Sequence, residues 1–251
     1  MNENLGLFGA ILAIIAVMGT LMFTTGREVT VNNYVVNTYL YILLAILLCT
    51  LTIIAMNKYK IGENLGGWKM FGIFILLIIV LFGMQAVGRK HVFLRNVLWV
   101  VFIVLLGVIL SPIFNLAVNT DVLWKSIITV VILVGVLTFI ASRVPDNYFD
   151  SWGTYLSVAL LALIVFEILD MLFFDPATSG RYKVYAVVAI VIFSGFVLYD
   201  TKNIYQNGKI AEAICNDKRI DRAECVDYPT QSVGLFLDIV NLFSSIVTVQ
   251  Q

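Results

Sequence analysis

Eight long apolar runs dominate this chain and restrict what it can fold into. Each is close to the roughly 17–25 residues that an α-helix needs to cross the hydrocarbon core of a bilayer. Helices suit that solvent because they satisfy their backbone hydrogen bonds internally. The sequence therefore predicts an all-α integral membrane protein. The runs are Leu5–Phe23, Val36–Met56, Lys69–Gly88, Val92–Val118, Val122–Ser142, Trp152–Phe174, Tyr182–Tyr205 and Gln231–Val249.

The composition agrees with a membrane location. The chain is 61% hydrophobic and 13% charged, whereas soluble domains are about 45–50% apolar and about 25% charged. Its formal net charge is zero, which gives none of the positive excess that nucleic-acid binding uses. We therefore expect a multi-pass protein whose solvent is the lipid bilayer and which has no nucleic-acid partner. The sequence does not specify the organelle or virion membrane.

The basic residues predict the orientation, because cytosolic loops carry more Lys and Arg. Ten basic residues fall in loops on one side and six on the other. This places the loops 89–95, 143–151 and 206–230 in the cytosol and the N-terminus on the opposite side. The first side carries Arg27, Arg89, Lys90, Arg95, Arg143, Lys202, Lys209, Lys218, Arg219 and Arg222. The second carries Lys58, Lys60, Lys69, Lys125, Arg181 and Lys183.

Two of the apolar runs each contain one carboxylate, Asp200 and Asp238. An ionisable group within a membrane helix is costly and usually marks a functional site. The helical rise places Asp200 roughly 7–8 Å and Asp238 roughly 10 Å from the same predicted cytosolic end. We therefore expect the two acids to lie at one depth.

Two carboxylates that meet in a medium of low dielectric constant cannot both ionise cheaply, so such a pair shares a proton and titrates as a unit. Arg89 follows the third run at the same predicted face and would favour the ionised pair. Asn241 is three residues beyond Asp238 and shares its helical face, so it could orient that carboxylate. The alternative is an interfacial Asp200 and an Asp238 satisfied by a nearby hydroxyl.

A second acidic group lies toward the opposite side of the predicted bilayer. Glu167 and Asp170 are three residues apart and share a helical face, while Asp121 and Asp175 fall in loops on that side. Carboxylates at a pore mouth concentrate cations, which predicts an outer cation vestibule. A solvated helix end is the alternative for Asp170 and Asp175.

Cys215 and Cys225 lie ten positions apart in the predicted polar loop before the last run. A disulfide requires an oxidising compartment, whereas a cytosolic loop keeps thiols reduced. With the loop placed in the cytosol, we predict mostly free thiols.

The stretch from Gly195 to Asp200-Thr201, together with Leu237-Asp238-Ile239-Val240-Asn241-Leu242-Phe243, resembles the transmembrane BAX inhibitor motif family, also called the Bax inhibitor or lifeguard family. The resemblance extends through Gly107-Val108-Ile109-Leu110-Ser111-Pro112 and covers the second to eighth runs. It implies a seven-helix bundle with a central last helix, here residues 31–251. Residues 1–30 would then be an extra N-terminal transmembrane helix. Whether the last helix spans the bilayer or is re-entrant stays open.

The same resemblance implies a pH-sensitive calcium leak linked to suppression of cell death. It assigns the gate to Asp200 and Asp238, which would bind calcium transiently, with Arg89 as a basic latch. Tyr199, which precedes the first acid, and Asn241 would support the site. Calcium is expected as the permeant ion, with no cofactor and no enzymatic activity, and other membrane proteins are possible partners.

Two other functions fit parts of the sequence. A non-conducting membrane scaffold, such as a viral structural protein that retains the fold, is one. An intramembrane aspartyl protease is the other, since it also uses two aspartates on adjacent helices. The chain lacks the Gly-x-Gly-Asp motif of those proteases, because its stretch before Asp238 reads Gly234-Leu235-Phe236-Leu237.

Overall fold

A computed structural model describes residues 29–61, 67–145, 147–173, 179–216 and 225–251. Helices are the only regular secondary structure within these ranges. They are α1 (Val31–Lys58), α2 (Gly67–Ala86), α3 (Val92–Asn119), α4 (Leu123–Arg143), α5 (Trp152–Phe173), α6 (Ser179–Cys215) and α7 (Tyr228–Gln250). The predicted first helix, Leu5–Phe23, lies outside the described residues, as does Asp175.

All seven helices are long and apolar enough to cross a bilayer. The predicted all-α, multi-pass membrane protein is therefore confirmed. The last helix has 23 residues, and at about 1.5 Å per residue it is long enough to span the hydrocarbon core.

Helix α6 continues ten residues beyond its predicted end at Tyr205 and ends at Cys215. The prediction stopped at Tyr205 because the following residues are polar, but polarity does not end a helix. Ala211, Glu212 and Ala213 continue it with strong helix formers. The predicted loop 206–230 is therefore wrong over its first ten residues, where the structure has helix.

Cys215 and Cys225 form a disulfide, with their Cα atoms 5.7 Å apart. The prediction of free thiols is wrong for this structure. That prediction rested on the compartment alone. The extension of α6 to Cys215 and the start of α7 shortly after Cys225 bring the two side chains within bonding reach.

The described residues form two compact units. The first contains the residues up to Pro112 together with Asn207–Val233. Its core includes Trp99, Phe102 and Ile103, which are fully buried. In this unit the Tyr41 hydroxyl donates to Asn96 Oδ1 at 2.7 Å, which satisfies a buried phenol.

Close packing of α1 on α3 in the first unit depends on Gly107. A Cβ at this position would lie 2.9 Å from Thr52 Cβ and 3.1 Å from the Cys49 carbonyl oxygen. Real Cβ atoms do not approach other atoms so closely, so only glycine permits this helix spacing.

The second unit contains Ile113–Gln206 and Gly234–Gln251. Glycines again bring its helices together, since a Cβ at Gly153 of α5 would lie 2.6 Å from the Tyr199 ring of α6. Lys202, which is buried, donates from Nζ to the Val144 carbonyl oxygen at 2.6 Å. This bond places a cation at the C-terminal end of α4, where the helix dipole favours it. The unit brings α5, α6 and the main part of α7 into one bundle.

Candidate functional site

The two membrane-embedded aspartates meet within the second unit. The Asp200 side chain on α6 hydrogen-bonds to the Asp238 side chain on α7. Asp238 is 5% exposed and Asp200 is partly buried. A carboxylate has only acceptor oxygens, so a hydrogen bond between two carboxyl groups requires a proton on one of them. Two carboxyl groups this close can share one proton.

Gly234 allows the pair to form. It lies one helical turn before Asp238 and faces α6, where a Cβ would overlap Asp200 Oδ2 and lie 3.2 Å from Asp200 Cγ. The missing side chain leaves the space that the Asp200 carboxylate fills. Gly234 lies in the predicted last run, Gln231–Val249, but its role as a contact for Asp200 was not predicted.

Two further features of the pair were missed. Asn203, one turn after Asp200, also hydrogen-bonds to the Asp200 side chain, and its spacing of three residues was a usable signal. Asp238 Oδ2 is buried and has no hydrogen-bond partner among the described residues. A buried carboxyl oxygen without a partner is costly, so it marks a position where a donor or a cation would be stabilising.

The two residues predicted to support the pair contact other groups. Asn241 Nδ2 donates to the Leu237 carbonyl oxygen at 2.9 Å, so this donor serves its own helix. The Tyr199 ring packs over Gly153 and lines a different cavity of about 490 Å³ with Thr154 and Ser157. The supporting roles of Asn241 and Tyr199 stay predictions.

The pair lines an open cavity of about 530 Å³ between α5, α6 and α7. Asp200, Asp238 and Asn241 contribute polar groups to one part of the cavity lining. Glu167 of α5 contributes a further polar group. A second cavity of about 350 Å³ shares Glu167, Ala189, Ser244 and Ser245 with the first. The two cavities therefore adjoin along α7.

One face of α7 contributes to the lining of both cavities. Its members are spaced alternately by four and three residues and so share a face of the helix: they are Gly234, Asp238, Asn241, Ser245 and Thr248. From Gly234 to Thr248 this polar face extends about 21 Å along the helix at about 1.5 Å per residue. Only Asp238 and Asn241 of this face were predicted from the sequence to be functional, although the repeated spacing was visible there.

The two acids of the predicted outer vestibule have different environments. Asp170 accepts a hydrogen bond from Arg181 Nη1 at 2.8 Å and also bonds to the Tyr185 side chain. Glu167 is exposed and lines both cavities. The structure therefore associates Glu167 with the cavities and Asp170 with an ion pair.

Arg89, the predicted latch, lies in the turn between α2 and α3 and is exposed. It belongs to the first unit, whereas Asp200 and Asp238 belong to the second. Its role beside the acids stays a prediction. Among the described residues, no three His, Cys, Asp or Glu side chains form a group that could hold a metal ion.

A family model described as "Inhibitor of apoptosis-promoting Bax1" matches residues 31–250. Protein LIFEGUARD 1 of Arabidopsis thaliana is 24% identical over 189 residues, which cover 74% of this chain and 73% of that protein. Bax inhibitor 1 of Schizosaccharomyces pombe is 25% identical over 183 residues, or 72% of this chain and 61% of that protein. The match to Protein LIFEGUARD 4 of Arabidopsis thaliana, at 28% identity, covers 51% of this chain and spans less than half of that protein, 45%.

Proposed function

The chain belongs to the Bax inhibitor family, which is linked to the regulation of cell death, and from this membership we propose that it is a pH-sensitive, calcium-permeable leak gated by Asp200 and Asp238. The observation that carries the proposal is the hydrogen-bonded carboxyl pair at the cavity between α5, α6 and α7. A bilayer helix rarely retains an acid without a functional reason, and here two such acids meet.

The chemistry of the cavity suits a hard cation. Calcium prefers carboxylate, carbonyl and hydroxyl oxygens, and the polar face of α7 offers such groups. Asp238 Oδ2, buried and without a hydrogen-bond partner among the described residues, is an oxygen that a passing cation would stabilise. Glu167, on the lining that the two cavities share, would concentrate cations before they reach the pair.

The pair can act as a gate because its hydrogen bond depends on its proton. With one shared proton, the bond joins α6 to α7 beside the cavity. When that proton leaves, two negative charges repel each other at close range, and both carboxylates become available to a cation. Calcium and the proton therefore compete for the same oxygens, so calcium binding at the pair should strengthen as pH rises.

The titratable group that shares this cavity is Glu167, and Arg89 is the cation predicted to offset the charge of the pair. Both would alter the charge around the pair without providing the shared hydrogen bond on which the pH response depends. Flux should change over the range from about pH 5 to pH 8, where coupled buried carboxyl groups can titrate.

Calcium flux into sealed vesicles that contain the purified protein tests the proposal. We expect flux above that of protein-free vesicles and a clear dependence on pH. Absence of flux at every pH between about 5 and 8 would contradict the leak and favour the non-conducting scaffold. Flux that does not depend on pH would support a channel but would contradict gating by the carboxyl pair.

A further inference from the structure

The disulfide between Cys215 and Cys225 joins two elements that carry the proposed gate. Cys215 is the last residue of α6, and Cys225 precedes the start of α7 by three residues. Ten positions separate the two cysteines along the chain. The bond therefore fixes the end of α6 to the beginning of α7, outside the apolar part of either helix.

A buried ion pair includes Asp227, which follows Cys225 by two residues. Arg95 Nη2 donates to Asp227 Oδ2 and to Thr230 Oγ1 at 2.6 Å. Asp227 Oδ1 in turn accepts from the Thr230 backbone N–H at 3.3 Å, which caps the N-terminus of α7. We call these five residues, Cys215, Cys225, Arg95, Asp227 and Thr230, the α7 clasp.

Apolar packing completes the clasp within the first unit. Cys215, Val226 and Tyr228 pack against the buried cluster of Val29, Tyr34 and Ala211. The Tyr34 and Tyr228 rings lie 5.2 Å apart between centroids. The residues that surround Cys225 along the chain are thus held by a cap, an ion pair and a ring contact. Loss of the disulfide would remove the only covalent link among these contacts and leave the cap, the ion pair and the ring contact.

The predicted orientation of the chain bears on the role of this disulfide. The excess of basic residues predicts that the end of α6 and the start of α7 lie on the cytosolic side. Disulfides in the cytosol are usually transient and catalytic or redox-sensing rather than structural. A disulfide in a cytosolic position is therefore typical of a reversible redox switch and not of a permanent structural bond.

We propose that Cys215–Cys225 is a reversible redox switch that fixes the first turn of α7, and that its reductant is a dithiol of the thioredoxin or glutaredoxin class. Cys215 is half-buried and Cys225 is buried, so Cys215 is the more accessible residue of the two. A thiolate of the reductant attacks Cys215 Sγ, the S–S bond breaks, and Cys225 leaves as a thiolate that takes a proton.

The second thiolate of the reductant then displaces Cys215 from the mixed disulfide. The protein gains two electrons and two protons in total, and the dithiol is oxidised to its own disulfide. Because the reduced chain has lost its covalent constraint, the first turn of α7 is left to the ion pair and the aromatic contact. We expect this turn to open more often in the reduced protein.

Asp238 lies ten residues after Tyr228 in the same uninterrupted helix. Order in the first turn of α7 should therefore influence the gate. This consequence for flux rests on the proposed leak function, whereas the ordering of the turn does not.

Amide hydrogen exchange of residues 228–233, measured by mass spectrometry with and without dithiothreitol, tests the switch. We expect exchange in the reduced protein to rise on the order of tenfold or more, because a closed loop of this length constrains the open chain substantially. The rise should reverse on reoxidation. Unchanged exchange after complete reduction, shown by mass, would contradict the proposal.

Two variants sharpen the test. Cys215→Ser/Cys225→Ser should exchange like the reduced protein and ignore dithiothreitol, while Cys49→Ala, which removes the free buried cysteine, should keep the full response. If the double variant does not fold, the wild type with and without reductant still decides. Flux measured on the same samples separates the two proposals, because a protein without flux can still show the change in exchange.

The redox state of the two cysteines in intact cells is the last test. Rapid acid quench and alkylation should trap Cys215 and Cys225 in both oxidised and reduced forms, with a ratio that follows the dithiol supply. A bond that stays fully formed under every reducing condition, in protein that remains folded, would identify a permanent structural disulfide and overturn the switch.

Discussion

Gly234 of α7 lies directly against the Asp200 carboxylate of α6, where a Cβ would overlap Asp200 Oδ2. This close approach places Asp200 within hydrogen-bonding reach of Asp238, which is one helical turn further along α7. The pairing of two acids across neighbouring helices therefore depends on the absence of one side chain.

Gly234→Ala should displace the Asp200 carboxylate and break its bond to Asp238. Since the proposed gate needs that bond, the ratio of calcium flux at pH 8 to flux at pH 5 should move toward one. Gly135→Ala is the matched control, because a Cβ there meets no atom within 4 Å. A Gly234→Ala protein that keeps the wild-type pH profile would show that the carboxyl contact is not the gate.

Asp238→Asn and Asp200→Asn should each abolish the shared proton while they preserve nearly the same volume. An amide does not titrate, so the coupled response of the pair is lost. We expect the flux of either variant to lose most of its dependence on pH between about 5 and 8.

The control for both changes is Asp121→Asn. Asp121 is exposed and has a φ of 57°, a conformation that asparagine also tolerates. Its replacement removes one carboxylate and should leave the pH profile intact. If both Asn variants of the pair conduct with the full wild-type pH response, the paired-acid gate is wrong.

Glu167→Gln should lower conductance and retain the pH response. Glu167 lines both cavities, so its charge should raise the local calcium concentration without forming the shared hydrogen bond. The effect should weaken at high ionic strength, because salt screens an exposed charge.

Asp170→Asn provides the contrast on the same face of α5. Asp170 is held by Arg181 at 2.8 Å, so its loss should alter stability by about 0.2–1 kcal/mol, as for partly exposed ion pairs, and alter conductance less than Glu167→Gln. Single-channel or vesicle flux measurements separate the two. Equal conductance losses would instead assign both acids to the vestibule.

The sequence predicted the main features of the fold because bilayer thickness sets helix length. The limits of α3 and α4 differ from the predicted runs by at most one residue. The prediction failed where the bilayer no longer sets the limits. α6 continues to Cys215 through polar sequence, where helix propensity and packing decide instead.

The site was partly predictable for a similar reason. Helical rise placed Asp200 and Asp238 at one depth, and the structure brings them into contact. Depth carries no information about rotation around a helix axis. The sequence therefore did not distinguish Glu167, which lines the cavities, from Asp170, which pairs with Arg181.

Gly107→Ala should destabilise the first unit by about 1–3 kcal/mol, the usual cost of overpacking. The added Cβ would lie 2.9 Å from Thr52 Cβ and 3.1 Å from a backbone oxygen, and the backbone cannot move as readily as a side-chain tip. Thermal unfolding in detergent measures the effect as a lower midpoint. Gly72→Ala of α2 is the control, because its Cβ would meet no atom within 4 Å. There the helix propensity of alanine should raise stability by about 0.5–1 kcal/mol. Shifts of the same sign in the two variants would contradict the close packing of α1 on α3.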